Sequence, residues 1–171
     1  YPKRLSAEVM HDAICAVTEE PTAFTQIAFL GADKEKTDFY PKGTRAIQLY
    51  DSAVESYFLQ TFGRNQRRVT CECERSDEPT MVQVLHIANG DTVNSKLKDA
   101  KNRIGALLEA KASNAEIVEQ AYLVALSRKP TDAEKKPLLE TLEATAEAER
   151  REAIEDLFWA ILSSREFLFN H

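Results

Sequence analysis

A mainly α-helical, compact multi-helix domain with a small two-stranded β element and a long irregular N-terminal loop is predicted by three features of the sequence. Apolar residues recur at helical spacing through most of residues 91–169, cap residues stand at the starts of those repeats, and the period lapses between Pro21 and Gly43. The 171 residues are expected to form a single domain over 1–171, and a chain of this length buries roughly 70% of its unfolded surface, enough for a real core. With 43% hydrophobic residues, 5 Gly and 6 Pro, neither disorder nor low-complexity linkers fit.

The elements follow in order. Ser6 is placed to cap a first helix, with Glu8 in its first turn and Val9, Met10, Ala13, Ile14 and Val17 as its stripe. Cys15 beside that stripe reads as a small buried hydrophobe rather than a reactive thiol, and His11 at the polar edge reads as a surface residue. From Pro21 to Gly43 the apolar residues have no sustained period, and the aromatics there are expected to tack the loop to the core. Alternation over Thr44 to Tyr50 suggests a short strand, followed by a helical turn through Ala53, Val54, Tyr57 and Phe58 that ends before Gly63. A second strand over Val69 to Glu74 would pair with the first.

Pro79 suits the first turn of an apolar central helix closed by Asn89-Gly90. Asp91 or Thr92 then starts one longer amphipathic helix carrying Val93, Leu97, Ala100, Ile104, Leu107 and Leu108. Ser113-x-x-Glu116 is a capping box for the next helix, and Thr131-x-x-Glu134 for the one after, which Pro137 should kink or delay. The last helix, from Ile154 to Phe167, carries the strongest apolar stripe, with Trp159 on its border and Phe167-Leu168-Phe169 expected to pin the C-terminus.

Charge and composition exclude some functions. The net charge is -6, and residues 132–156 hold nine acidic side chains against four Lys or Arg, so the last two helices repel phosphate backbones and generic nucleic-acid binding is disfavoured. No apolar run reaches the roughly 18 residues of a membrane span. The start, Tyr1-Pro2-Lys3-Arg4, reads as the middle of a longer chain. Three cysteines make neither a disulfide framework nor a zinc pattern.

The most unusual stretch is Thr61 to Gly90. Cys71 and Cys73 would project from one strand face, where two thiolates supply half of a tetrahedral metal set, and core-facing thiols are the simpler use. Glu72 and Glu74 share the other face, as a carboxylate pair for glycoside hydrolysis or as a solvated strand face. Arg64, Arg67, Arg68 and Arg75 could form an anion site, although Glu72, Glu74, Asp77 and Glu78 balance them and internal ion pairs serve as well. His86, in an apolar helix, reads as a hydrogen-bonded core residue.

The blocks TRAIQLYD, FLQTFGRNQRR, CECERSDEPTMVQVLHIANG, SNAEIVEQAYLVALSRKPT and LFWAILSSREFLFNH, beginning from PKRLSAEVMHDAI, resemble in order the C-terminal domain-of-unknown-function family 1553 of large planctomycete proteins. The resemblance implies a C-terminal part of an exported, extracytoplasmic multidomain protein, often following a cytochrome-c-type domain, and it supplies no activity. The chain lacks the Cys-x-x-Cys-His of covalent haem attachment, so no cofactor is expected on it. The expectation from sequence is therefore a non-catalytic binding or assembly module. Its expected partners are other domains of the same polypeptide and carbohydrate, with no nucleic acid and no membrane insertion. The alternative is a polysaccharide-active enzyme or a metal or redox domain using Arg64 to Glu78.

Overall fold

The computed structural model describes residues 3–29, 33–49, 53–64, 83 and 90–170. Helix α1 (Ala7–Thr18) starts at Ser6, whose hydroxyl accepts from the Val9 amide, with Glu8 in the first turn, as the sequence predicts. It ends where Glu19 turns left-handed at φ 59°. Ala7, Met10, Ile14 and Val17 are buried, and so are the polar Glu8, His11, Asp12 and Thr18. The burial of His11 corrects the surface reading.

The irregular segment folds onto the polar flank of α1. Strands β2 (Gln26–Ile27) and β3 (Glu35–Lys36) form a two-residue antiparallel pair, and Ile27 also bridges to Val54. Phe24 and Tyr40 are buried and tack the loop down, whereas Phe29 and Phe39 are 56% and 60% exposed and do not. The strand expected over Thr44 to Tyr50 is instead a 3-10 turn, Ala46–Gln48. Its cause is Asp12, whose carboxylate accepts from the amides of Ala46 at 2.6 Å and Ile47 at 3.1 Å, pulling them into a turn rather than a ladder. Helix α2 (Tyr57–Thr61) is capped by Ser56, later than the predicted start, because Val54 is held extended against Ile27. Gly63, at φ 86°, supplies the left-handed turn that ends it.

The C-terminal half comprises α3 (Asp91–Lys98), α4 (Arg103–Glu109), α5 (Asn114–Leu126), α6 (Asp132–Ala144), a 3-10 turn at Glu147–Glu149, α7 (Arg150–Leu162), α8 (Arg165–Leu168) and β4 (Phe169–Asn170). The single helix expected from Asp91 to Leu108 is two. Asn102, 1% exposed, donates to the Lys96 and Leu97 carbonyls at 2.8 and 2.6 Å, and its side-chain oxygen accepts from the Gly105 amide at 2.9 Å. One side chain thus closes α3 and opens α4. A Cβ on Gly105 would collide with the Ala100 carbonyl, so the tight corner requires glycine there.

Both predicted capping boxes are present, at Ser113/Glu116 and Thr131/Glu134. Helix α6 starts at Asp132 without delay. Pro137 lacks only the amide hydrogen that residue 133 would have received. The last predicted helix breaks at Ser164, whose hydroxyl caps α8 by accepting from the Phe167 amide. Phe167 is buried, and β4 pairs with β1 (Lys3–Arg4) in the register Lys3↔Asn170 and Arg4↔Phe169. The second predicted strand, over Val69 to Glu74, and the helix from Pro79 to Gly90 fall outside the described residues apart from Gln83 and Gly90.

Two helices organise the packing. Helix α1 meets α2, α3, α4 and α5, while α7 meets α3, α4, α5, α6 and α8, so α3 to α5 touch both hubs. Their facing residues, including Met10, Ile14, Ile104, Ile117, Val118, Ile154 and Phe158, lie in one buried apolar cluster. Arg128 fastens the far end: it donates to both oxygens of Glu134 and of Glu166 and lies 5.2 Å from the Tyr122 ring centroid, joining α5, α6 and α8.

Replacing Asn102 by Ala removes a cap and leaves two buried carbonyls without their donor. The expected loss is about 2–3 kcal/mol, read from urea unfolding with the m-value unchanged. A loss below about 0.5 kcal/mol would contradict the role given to Asn102.

Hydrogen bonds from Arg128, then from the Thr131 amide and hydroxyl, lower the Glu134 carboxyl from 4.5 to about 2. Because the folded value is the lower one, this stabilisation is present above pH 4.5 and is lost as pH falls toward 2. Glu134→Gln should flatten that limb of the stability curve and, with its charge partly solvated, lower Tm at neutral pH by roughly 2–4 °C. Thermal melts across the range check both.

Candidate functional site

Of the residues that the sequence singles out, Arg64 lies within the described structure. It follows α2, donates from Nη2 to the Leu49 carbonyl at 3.0 Å and sits with Nε 3.8 Å from Glu8 Oε1, its side chain 10% exposed. Its described contacts hold the irregular segment to α1. Arg67, Arg68, Cys71, Glu72, Cys73, Glu74 and Arg75 lie outside the described residues. Gln83 donates to the Thr61 carbonyl at 2.9 Å and accepts from Arg4, which also donates to the Phe62 carbonyl.

Two other places bring chemistry together. The first is a groove of about 720 Å³ between α3 and α7, with Ala148 of the intervening 3-10 turn at one end. Helix α7 builds its wall through its own period. With Ile154, Leu157, Phe158, Ile161 and Leu162 turned into the core, Arg151, Glu155 and Trp159 form the adjacent i, i+4, i+8 row, and Glu152 and Asp156 the next. Helix α3 contributes Asn94, Leu97 and Lys98. Arg151 is fixed on both sides: Nε donates to Glu155 at 2.7 Å and Nη2 to the Asp99 carbonyl at 2.8 Å, tying α7 to the end of α3.

The groove therefore has a half-buried indole, a neutralised Arg151–Glu155 pair, and outward Glu152, Asp156, Asn94 and Lys98. An apolar ring flanked by carboxylates and an amide suits a ligand with an apolar face and hydroxyl edges. The sequence reading placed Trp159 on the border of the stripe, and its i±4 spacing with Glu155 and Arg151 was the signal of a second, outward row.

The second place is on α1. His11, 2% exposed, lies between Phe24 and Phe58, with ring centroids 5.6 and 5.5 Å away. Its Nε2 is 2.9 Å from the Thr22 hydroxyl, and its Nδ1 is 3.8 Å from Cys15 Sγ and 3.6 Å from Asp12 Oδ1. Cys15 is partly exposed, and its sulfur is also 3.7 Å from Thr22 Oγ1. Burial pushes the thiol up, but the hydrogen bond and charge of His11, the charge of Lys96 and the Thr22 hydroxyl outweigh it, and Cys15 comes down to about 7. Where the sequence reads Cys15 as a small buried hydrophobe, the structure sets His11, one turn earlier at i−4, against its sulfur.

The other shifted carboxyls, Glu55, Glu116 and Glu119, are lowered, first by side-chain hydrogen bonds from Lys34, Ser113 and Lys129 respectively. These are the marks of caps and ion pairs rather than of a proton donor poised for hydrolysis. Among the described residues, no group of three or more His, Cys, Asp or Glu is placed to hold a metal ion, and no helix is long and apolar enough to cross a membrane.

Fold and surface define a mainly helical domain with a lateral groove between α3 and α7. Residues 1–142 match the model of the family PSD1, protein of unknown function (DUF1553), and the chain belongs to that family. The match takes in His11, Cys15 and Thr22 and the α3 side of the groove, and it stops before α7. No curated protein and no solved structure matches the chain.

Proposed function

We propose that the domain is a non-catalytic binding module of a larger exported multidomain protein, and that it holds a carbohydrate chain in the groove between α3 and α7. The observation that carries this reading is Trp159 lying along a groove whose remaining polar groups are Asn94, Lys98, Glu152 and Asp156, beside an Arg151–Glu155 pair already committed to each other. An indole face offers stacking area to the C–H face of a sugar ring, and carboxylates and amides accept from or donate to its hydroxyls. The acidic surface of the last two helices suits neutral or cationic sugars better than sulfated or phosphorylated ones.

The exported setting and the partnership with other domains of the same polypeptide rest on the ordered sequence blocks that resemble planctomycete proteins carrying cytochrome-c-type domains. In that setting the groove would tether the larger protein to its polysaccharide while chemistry is done elsewhere.

Trp159 is the single tryptophan of the chain, so its emission reports directly on the groove. A screen of neutral, cationic and anionic oligosaccharides should find a saturable change in emission with a neutral or cationic member. Trp159→Ala should then weaken binding, measured calorimetrically, by about tenfold. A screen in which no sugar moves the emission, or a binder whose affinity is unchanged in Trp159→Ala, overturns the assignment of the groove. A response to a neighbouring domain and to no sugar would replace the carbohydrate by protein as the ligand.

A further inference from the structure

We infer that Cys15 is a nucleophilic thiol activated by His11, and that it undergoes thiol–disulfide exchange with small neutral or cationic disulfides. The inference stands on the placement of three side chains. In the tautomer this step uses, Nε2–H donates to Thr22 Oγ1 at 2.9 Å and the Nδ1 lone pair faces Cys15 Sγ at 3.8 Å. The imidazole cannot swing away, because Phe24 and Phe58 bracket the ring and it is 2% exposed. Cys15, in contrast, is a partly exposed residue. A fixed base inside and an accessible nucleophile outside is the arrangement that thiol activation needs.

The charged surroundings support the same step. Asp12 Oδ1, 3.6 Å from Nδ1, sets a carboxylate beside the nitrogen that receives the thiol proton. Asp12 is itself held by the Ala46 and Ile47 amides and by Arg45, at 3.5 Å from Nε. From α3, Lys96 adds positive charge, with its ammonium fixed on the Glu20 carbonyl at 2.7 Å. With the thiol near 7, about half is thiolate at neutral pH, close to the optimum for exchange.

The kind of disulfide follows from the adjoining cavity. Thr22, whose Oγ1 is 3.7 Å from Cys15 Sγ, and Lys96, whose charge acts on the thiol, line a cavity of about 390 Å³ with Glu20, Asp91 and Asp99. Its carboxylates are Glu20, Asp91 and Asp99 against the ammonium of Lys96, with Glu20 shared with Lys42 at 3.6 Å. An anionic disulfide is repelled there, and a neutral or cationic one is admitted. In the reaction the Cys15 thiol gives its proton to His11 Nδ1. The thiolate attacks one sulfur of R–S–S–R, the mixed disulfide Cys15–S–S–R forms as the S–S bond breaks, and the departing RS⁻ takes the proton from the imidazolium. The Cys15 sulfur rises and the released sulfur falls by one formal oxidation level, one thiol and one disulfide stand on each side, and no other oxidant is needed.

The test uses the whole chain with cystamine as the cationic disulfide and oxidised glutathione as the anionic one, followed by peptide mass mapping that separates Cys15 from Cys71 and Cys73. Cystamine should modify Cys15 in the folded protein with a pH profile half-maximal near 7, and several-fold faster than oxidised glutathione at low ionic strength. His11→Gln should shift the profile upward by more than one pH unit and lower the rate at pH 7 by about fivefold, the fall in thiolate being partly offset by its greater intrinsic nucleophilicity. Thr22→Val, at a partly exposed position, should shift the profile the same way and serves if His11→Gln does not fold. The inference is overturned if Cys15 is modified only after denaturation. It is equally overturned if neither variant moves the profile, or if oxidised glutathione reacts as fast as cystamine.

Discussion

Helix α1 carries buried polar side chains on the flank beside its apolar stripe, and the N-terminal part of the fold depends on satisfying them. A carboxylate or imidazole taken out of water without partners destabilises a domain by an amount comparable to its whole stability. Glu8 meets Arg64, His11 meets Thr22, Asp12 meets the Ala46 and Ile47 amides, and the Thr18 hydroxyl donates to the Ile14 carbonyl at 2.8 Å. Three of these four partners belong to residues 22–64, the stretch that follows α1. That segment has two-residue strands and a five-residue helix, and it is located by polar side chains of α1 as much as by the burial of Phe24, Tyr40 and Val54.

The same helix explains why a thiol and a base come together. A loop that must reach down to neutralise α1 brings Thr22 under His11, and the i, i+4 geometry of a helix sets Cys15 on the next turn. Helix α7 does the corresponding job at the other side of the molecule. There an apolar row is consumed by the core and the neighbouring row is left to α3, separated by a groove rather than by packed side chains. The two sites lie on different hub helices and share α3, whose opposite flanks line the groove and the cavity.

The helices of the C-terminal half were legible in the sequence because their signals are local. Ser113 with Glu116 and Thr131 with Glu134 satisfy amides within one turn, and the apolar rows of α5 and α7 repeat at 3.6 residues. What was not legible depended on partners distant in sequence. The alternation around Ile47 resembles a strand until Asp12, thirty-five residues earlier, claims its amide. The corner between α3 and α4 was hidden because Val93, Leu97, Ile104 and Leu108 keep a helical rhythm across it, while Asn102 ends the first helix through bonds that periodicity does not register. His11 was assigned to the surface because burial on α1 comes from two sides, and a stripe analysis recognises one. Of the residues expected to form a site, Arg64 is engaged with the Leu49 carbonyl and Glu8, while neither Trp159 nor Cys15 was among them.

The pairing of β1 with β4 sets Lys3 opposite Asn170, so the first and last described residues are neighbours across one short ladder. Mechanical load entering at one end and leaving at the other would therefore not pass through the helices at first. It would open the ladder one hydrogen bond after another, in the manner of a zipper rather than of shear, and would release Phe167 before α1 or α7 felt tension. A domain closed by such a clasp gives way early and locally under traction, and retains the rest of its core to close again.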